Sequence, residues 1–454
     1  MKQQTFFFYD LETSGLNPRE DRIMQFAGQR TDFDLNPIGG PVNILVKLCD
    51  DTLPSPSAIM VTKITPQKTL TDGINEAEFA KYVEEEIFTP NTIAVGYNTV
   101  RFDDEFMRHL FWRNFRDPYE FEWKDGRSRW DLLDVVRLTR ALRPEGINWP
   151  VTEDGKATNR LELITKLNEI SHEHAHDAEA DVQASIDVAR LIKSKQPDLF
   201  NYLFKMRDKK EIKKLINLDD KKPFVYASGR YSSDNNKTTV VFPLTSGRNG
   251  NLLVFDLRYN LDELLKSNSD DTASYFPIVK EFCYNKCPAI APLAVLEKFG
   301  GWEKINLKKE QIEENLKSLL NHPEFAEKMR EKIENQPEWP KAIDPESALY
   351  DGFLNDHDRI RVNAVRNADE NHLADFNPDF QDERLGELLL HYKAKNYPKS
   401  LSESEEQKWQ AYRHERLERQ SKNFLKELEK FAEKDAYIAE ELKLYYESLQ
   451  DSDY

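Results

Sequence analysis

An α/β layered domain, then a small β-rich domain, then an all-helical tail is the architecture this sequence predicts, on three observations. From Thr5 to about Lys195, short apolar runs of strand period alternate with helical patterns. Between Phe224 and Leu257 the runs shorten and are separated by Gly, Asn and Ser, which suits a small β domain. Beyond the breaker Gln336-Pro337-Glu338-Trp339-Pro340 the chain is charged and helical to its end. A length of 454 residues agrees with several domains, because one ordinary core does not grow so large. The boundaries fall at 1–196, 197–337 and 338–454.

In the first domain, strands are expected at Thr5 to Asp10, Arg22 to Thr31, Asn43 to Leu48 and Thr92 to Asn98. Helices are expected at Glu76 to Phe88, Phe102 to Phe115, Asp131 to Leu142, Leu161 to Ile170 and Ala178 to Lys193. After a connecting helical stretch, Phe224 to Tyr231, Thr238 to Phe242 and Leu252 to Leu257 read as short strands, and Lys308 to Glu334 is again helical. In the tail, Ser402 followed by Glu405 predicts a capping box opening a long final helix. No fixed-period repeat or low-complexity tract is present.

Composition excludes several classes of function. With 32% charged residues and a mean hydropathy of −0.73, the chain does not read as a membrane protein. No apolar run approaches the roughly 20 residues that span a bilayer, and the FFFY segment is too short for an export signal, so a cytoplasmic protein is expected. Three cysteines make no disulfide framework, and Cys283 and Cys287 lack a second ligand pair at zinc spacing, so they read as small buried or half-buried thiols. A net charge of −17 disfavours general binding of a polyanion. Any nucleic-acid contact must therefore be local, in a basic groove within an acidic body.

The candidate chemistry begins in TFFFYDLETSG. On an extended backbone Asp10 and Glu12 share one face while Tyr9 and Leu11 share the other, so two like charges are held together. Such a pair shares a proton or binds a cation. In the helix beginning near Phe102, Asp103 lies on the apolar stripe of Phe106, Met107 and Leu110, whereas Asp104 and Glu105 point elsewhere. In the last helix of the domain, Asp181 lies on the stripe of Ala178, Ser185, Val188 and Ile192, while Glu179 and Asp187 read as solvated charge. Asp10, Glu12, Asp103 and Asp181 together make a hard oxygen cage for two divalent cations about 3.5–4 Å apart, Mg2+ by nature and Mn2+ as a substitute. At the entry of that last helix a histidine would serve as general base; by spacing alone His172, His174 and His176 compete.

The segments DLE, YNTVRFDD and HDAEAD, at Asp10, Tyr97 and His176, resemble the DEDDh 3′-to-5′ exonucleases, whose fold is a ribonuclease-H-like sheet with flanking helices. The resemblance selects His176 as the base, five residues before Asp181. Asp177 stands where the tyrosine-containing branch carries its Tyr. SRWDLLDV, ALRPEGINWP, LFNYLF and NKCP are similar to the bacterial exonuclease I branch over nearly the whole chain. That likeness implies an SH3-like second domain, a C-terminal helical domain and a monomer that degrades single-stranded DNA to 5′-mononucleotides in DNA repair and recombination.

The stretch from Arg101 to Arg143 mixes aromatic and basic residues, with Arg101, Arg108, Trp112 and Arg116 on one side of a helical wheel. Its ten basic residues meet nine acidic ones, so core aromatics with surface ion pairs stay open as a reading. By the resemblance, Glu12, Arg108, Tyr119, Trp123, Arg137 and Arg160 contact the strand, with Arg160 near the terminal nucleotide. Lys222, Ser228 and Asn285 follow in the second domain. The branch docks the acidic tail of the single-stranded-DNA-binding protein with residues that include Arg143 and Tyr202, although Glu297 and Leu320 depart from its basic and polar pattern nearby. The alternatives are a 3′-to-5′ exoribonuclease and a noncatalytic single-strand-binding protein. The roughly doubled length opposes the former and the complete acidic set the latter.

Overall fold

The aromatic run at the start of the chain forms the central strand of a mixed sheet. In this computed structural model, which describes residues 4–171, 177–267, 277–337 and 340–451, strand β1 spans Thr5–Thr13. Its neighbours are β2 (Ile23–Thr31), antiparallel, and β4 (Thr92–Gly96), parallel; β3 (Val42–Leu45) pairs with the far side of β2. A strand covered on both faces needs apolar residues at consecutive positions, and Phe6, Phe7, Phe8 and Tyr9 are all 2% exposed or less. β4 ends at Gly96, where a Cβ would lie 2.8 Å from the Tyr9 carbonyl oxygen and closer still to Thr99. Asn98 then turns the chain with φ 75°, and a 3₁₀ turn over Thr99–Arg101 leads into a helix at Asp103, one residue later than predicted.

Helix α1 (Glu76–Tyr82) is capped by Asn75, whose side chain accepts from the Glu78 amide, and it widens into a π turn over Val83–Ile87. Helix α2 covers Asp103–Arg113 and α3 Ala178–Lys195. The strand Ser128–Asp131 was not foreseen.

Two compact units divide the chain: Met1–Ser128 with Glu173–Gln183 and Pro340–Tyr454, and Arg129–His172 with Ala184–Trp339. The helical tail therefore shares its unit with the N-terminal sheet. Its main helices are α4 (Glu383–Asn396), α5 (Glu403–Phe431) and α6 (Ala436–Asp451). The capping box read from Ser402 and Glu405 opens α5, with both reciprocal hydrogen bonds formed. Leu417, Phe424 and Leu428 of α5 pack with Leu442 of α6 against Met24, Leu48 and Leu53. Elsewhere Trp112 and Phe115 pack with Leu385, Leu388 and Tyr392. Each such fully buried side chain contributes about 1.5–3 kcal/mol, so the tail is held as firmly as a core element.

The second unit contains an antiparallel sheet in the order β9-β5-β6-β7-β8, with β5 at Phe224–Ala227, β6 at Thr238–Ser246, β7 at Leu252–Asp256, β8 at Val279–Phe282 and β9 at Ala289–Pro292. The last two strands are four residues each, too short to carry a period. The helical stretch Lys308 to Glu334 proves to be two helices, Lys309–Leu320 and Pro323–Glu334. The break falls at Pro323, which lacks the amide that a continuous helix needs.

Candidate active site

Three carboxylates converge where β1 meets the start of α3. Each of Asp10, Glu12 and Asp181 places an oxygen within 4.8 Å of the others. The strand supplies the first two through its alternation, since Tyr9 and Leu11 between and beside them are 2% and 4% exposed and turned into the core. The helix supplies Asp181 because Ala178, Ser185, Val188 and Ile192 of the same stripe are buried. Asp177 caps that helix, accepting from the amides of Glu179 at 3.0 Å and Ala180 at 3.4 Å.

Asp103 joins through the backbone: its Oδ1 accepts from the Leu11 amide at 3.1 Å, which ties the start of α2 to the strand between Asp10 and Glu12. Asp104, expected to point away, is instead 1% exposed and accepts from the Tyr9 hydroxyl at 2.5 Å. Side chains tilt toward the N-terminus of a helix, and this N-terminus abuts the sheet, so both first-turn carboxylates reach it despite the angle between them. Tyr9 is thereby fixed from behind the acidic pair. Glu179 and Asp187 take surface partners, Asn43 and Arg190.

Crowding leaves its mark on the acids. Burial, then the charge of Asp181, holds Asp10 well above the usual carboxylate range. Burial, followed by Asp10, Asp181 and Asp177, pushes Glu12 from 4.5 up to about 9. A set of hard oxygen donors that resists ionisation when empty fits a divalent cation, whose charge would offset theirs. A second acidic group, Asp344, Glu346 and His391, also has metal-like spacing. Its oxygens are already taken by Arg416 at 2.7 Å and by Arg22 and Lys395 at 2.5 Å, so it is an ion-pair network. The histidine expected as base, His176, and its competitors His172 and His174 lie outside the described residues.

The residues expected to grip the strand differ in how free they are. Arg108 is 7% exposed; its guanidinium bonds Glu122 at 2.6 Å, Glu105 at 2.7 Å and the Tyr350 hydroxyl at 3.2 Å, and lies over the Tyr119 ring at 5.5 Å. Trp123 is 65% exposed. Phe353, 87% exposed and 6.5 Å from the Tyr119 ring, extends this aromatic group and was not foreseen from the sequence. Arg101, Arg108, Trp112 and Arg116 do not share one helix, because α2 ends at Arg113; Arg116 lies beyond it and pairs with Glu84.

In the second unit Arg137 bonds Asp134 at 2.5 Å and Arg160 is exposed beside Glu162 at 2.9 Å. Lys222 and Asn285 are exposed, while Ser228 is fully buried. Arg143 lies over the ring of Phe299 at 4.4 Å, and Phe299 is 67% exposed, a pairing with no sequence signal. Tyr202 is half-buried, and burial pushes its hydroxyl up to about 12. Glu297 pairs with Lys309 at 3.0 Å and Leu320 is exposed.

A strand carrying two alternating acids, joined by acids from two helices, suits an exonuclease domain of ribonuclease-H-like fold, and the family described as Exonuclease matches residues 7–189. The Exonuclease I SH3-like domain matches residues 207–335 and the Exonuclease I C-terminal domain residues 343–450. Exodeoxyribonuclease I of Haemophilus influenzae is 40% identical over 462 residues, covering 98% of this chain and 97% of that protein. The zinc-bound complex of Escherichia coli exonuclease I with single-stranded DNA superposes with a TM-score of 0.93 at 36% identity, over 99% of this chain and 100% of that one. A structure described as SSB/Exonuclease I with the inhibitor CFAM gives a TM-score of 0.91 at 36% identity, over 99% and 100%. The chain belongs to the exonuclease I family and is an exodeoxyribonuclease.

Proposed function

We propose that this chain hydrolyses single-stranded DNA stepwise from its 3′ end, releasing 5′-mononucleotides in the course of DNA repair and recombination. The observation that carries the reading is the convergence of Asp10, Glu12 and Asp181 within 4.8 Å, with Asp103 bonded to the strand between the first two. These four residues would hold divalent cations, Mg2+ with Mn2+ as a substitute. When bound, two such ions supply activation of water and neutralise charge that grows on the phosphate and on the departing 3′-oxygen. Glu12 and Arg160 orient the terminal nucleotide, and His176 takes the proton of the attacking water. Tyr9 and Asp104 hold the acidic strand still from the opposite face, so the carboxylates need not reorganise during the reaction.

By the family resemblance, Tyr119 and Trp123 are the candidates for stacking on upstream nucleotides and Arg108, Arg137, Lys222 and Asn285 for phosphate contacts, whereas the burial of Ser228 removes it from that set. The DNA and zinc in the Escherichia coli complex support both halves of this reading. Arg143, Tyr202 and the exposed Phe299 offer a cation and two apolar faces to an acidic peptide ending in a carboxylate, the chemistry of a single-stranded-DNA-binding protein's tail; the structure described as SSB/Exonuclease I supports that partner. Action in the cytoplasm, as a monomer, belongs to the same proposal; among the described residues no helix is long and apolar enough to cross a membrane.

The test is nucleotide release from single-stranded oligomers labelled at either end, as DNA and as RNA, with EDTA as control. The expected result is metal-dependent release of mononucleotides from the 3′ end of DNA. Equal turnover of RNA, or release that survives EDTA, would overturn the proposal.

A further inference from the structure

The acidic strand is handed to the C-terminal helices by a short loop. Pairing between β1 and β2 slips at a bulge between Glu12 and Thr13, so the direction of Glu12 depends on how the following loop is held. The loop closes on itself through Ser14, whose amide donates to the Arg22 carbonyl at 2.8 Å and whose Oγ accepts from the Arg22 amide at 2.9 Å. Gly15 sits so tightly on the Asp21 carboxylate that a Cβ there would come within 2.5 Å of its carbon. The loop has little freedom of its own.

Its outer half is gripped from residues more than 300 positions away. Arg416 of α5 donates to the Glu20 carbonyl at 2.9 Å, and the Ser347 hydroxyl donates to the Arg19 carbonyl at 3.1 Å. Arg22, 1% exposed, reaches Glu346 at 2.5 Å. Behind these contacts Arg416 bonds Asp344 at 2.7 Å, and Lys395 bridges Asp51 at 2.8 Å and Glu346 at 2.5 Å. Three cations thus meet three anions in a closed and buried set. Buried ion pairs of this kind fix one arrangement of their elements, because any other leaves a charge without its partner.

We propose that Ser347 and Arg416 are positioning residues of the nuclease site: by holding the Ser14–Arg22 loop they set the bulge that aims the Glu12 carboxylate at Asp10 and Asp181. The C-terminal helices are then part of the metal-binding apparatus, acting at a distance through backbone contacts. This inference rests on the metal reading of the acidic cluster given above.

Ser347→Ala and Arg416→Lys are compared with Leu428→Ala, which loosens the same helix α5 without touching the loop. Mn2+ affinity is read from the signal of free ion in electron paramagnetic resonance, alongside kcat and KM on a single-stranded oligomer. Ser347→Ala and Arg416→Lys are expected to weaken Mn2+ binding at least fivefold and to lower kcat with KM within twofold, while Leu428→Ala keeps both constants despite a lower Tm. Ser347→Ala carries the test by itself where Arg416→Lys does not fold. Wild-type affinity and kcat in Ser347→Ala, or the same losses in Leu428→Ala, would overturn the proposal alone. A wild-type chain that binds no Mn2+ would overturn the metal reading and this proposal together.

Discussion

Removing divalent ions should make the stability of this chain fall with rising pH, and Glu12 sets the size of the effect. In the metal-free fold its pKa stands at about 9 against 4.5, raised first by burial and then by Asp10, Asp181 and Asp177. The folded chain therefore keeps a proton that the unfolded chain releases, and stability is lost as pH climbs from 4.5 toward 9. Between about pH 6 and about pH 8 one such group costs about 1.4 kcal/mol per pH unit, or about 3 kcal/mol in all. For a body of this size the melting midpoint should drop on the order of 5 °C over that range. Saturating Mg2+ should remove most of the slope, because the cation holds the carboxylates ionised. Thermal melts in EDTA and in Mg2+ at the two pH values, for wild type and Glu12→Gln, provide the measurement. If wild type and Glu12→Gln show the same slope in EDTA, the account of a crowded, proton-hungry cluster is refuted.

Asp181→Asn should abolish turnover while binding of a single-stranded oligomer, followed by fluorescence anisotropy, persists; retained nucleotide release would remove the cation-cage argument. His176→Ala should lower kcat far more than affinity, and equal loss of both would mark a structural residue. Trp123→Ala, at a side chain 65% exposed, should weaken strand binding by about 1–3 kcal/mol with stability changed by no more than about 0.5 kcal/mol. Arg143→Ala should reduce capture of a labelled acidic tail peptide severalfold and leave turnover on free DNA unchanged; a fall in turnover would place Arg143 on the strand path instead.

What could be read ahead of the fold was what short-range periodicity encodes. Asp10 and Glu12 were legible because the aromatic run Phe6, Phe7, Phe8, Tyr9 marks a buried strand, on which residues two apart share a face, and Asp181 because its helix keeps one clean stripe. The box at Ser402 and Glu405 was legible for the same local reason. Asp104 was misread because a helical wheel ignores where the helix ends, and here the end of α2 meets the sheet. The strand Val279–Phe282 was missed because Lys280 and Glu281 stand side by side in its middle and break any alternation. Least visible was the ion network: Arg22 and Glu346 are 324 residues apart, and their types alone read as ordinary surface charge.

The division of the chain has a consequence for its birth. The catalytic body draws on Met1–Ser128 and Pro340–Tyr454, so nearly half of it is made only after the intervening segment has been translated. At roughly 5–20 residues per second, a nascent polypeptide spends on the order of tens of seconds with its acidic strand already made and its α5 clasp unwritten. On the positioning role proposed for Arg416, the acidic strand of a nascent chain stays unclasped until α5 has been made.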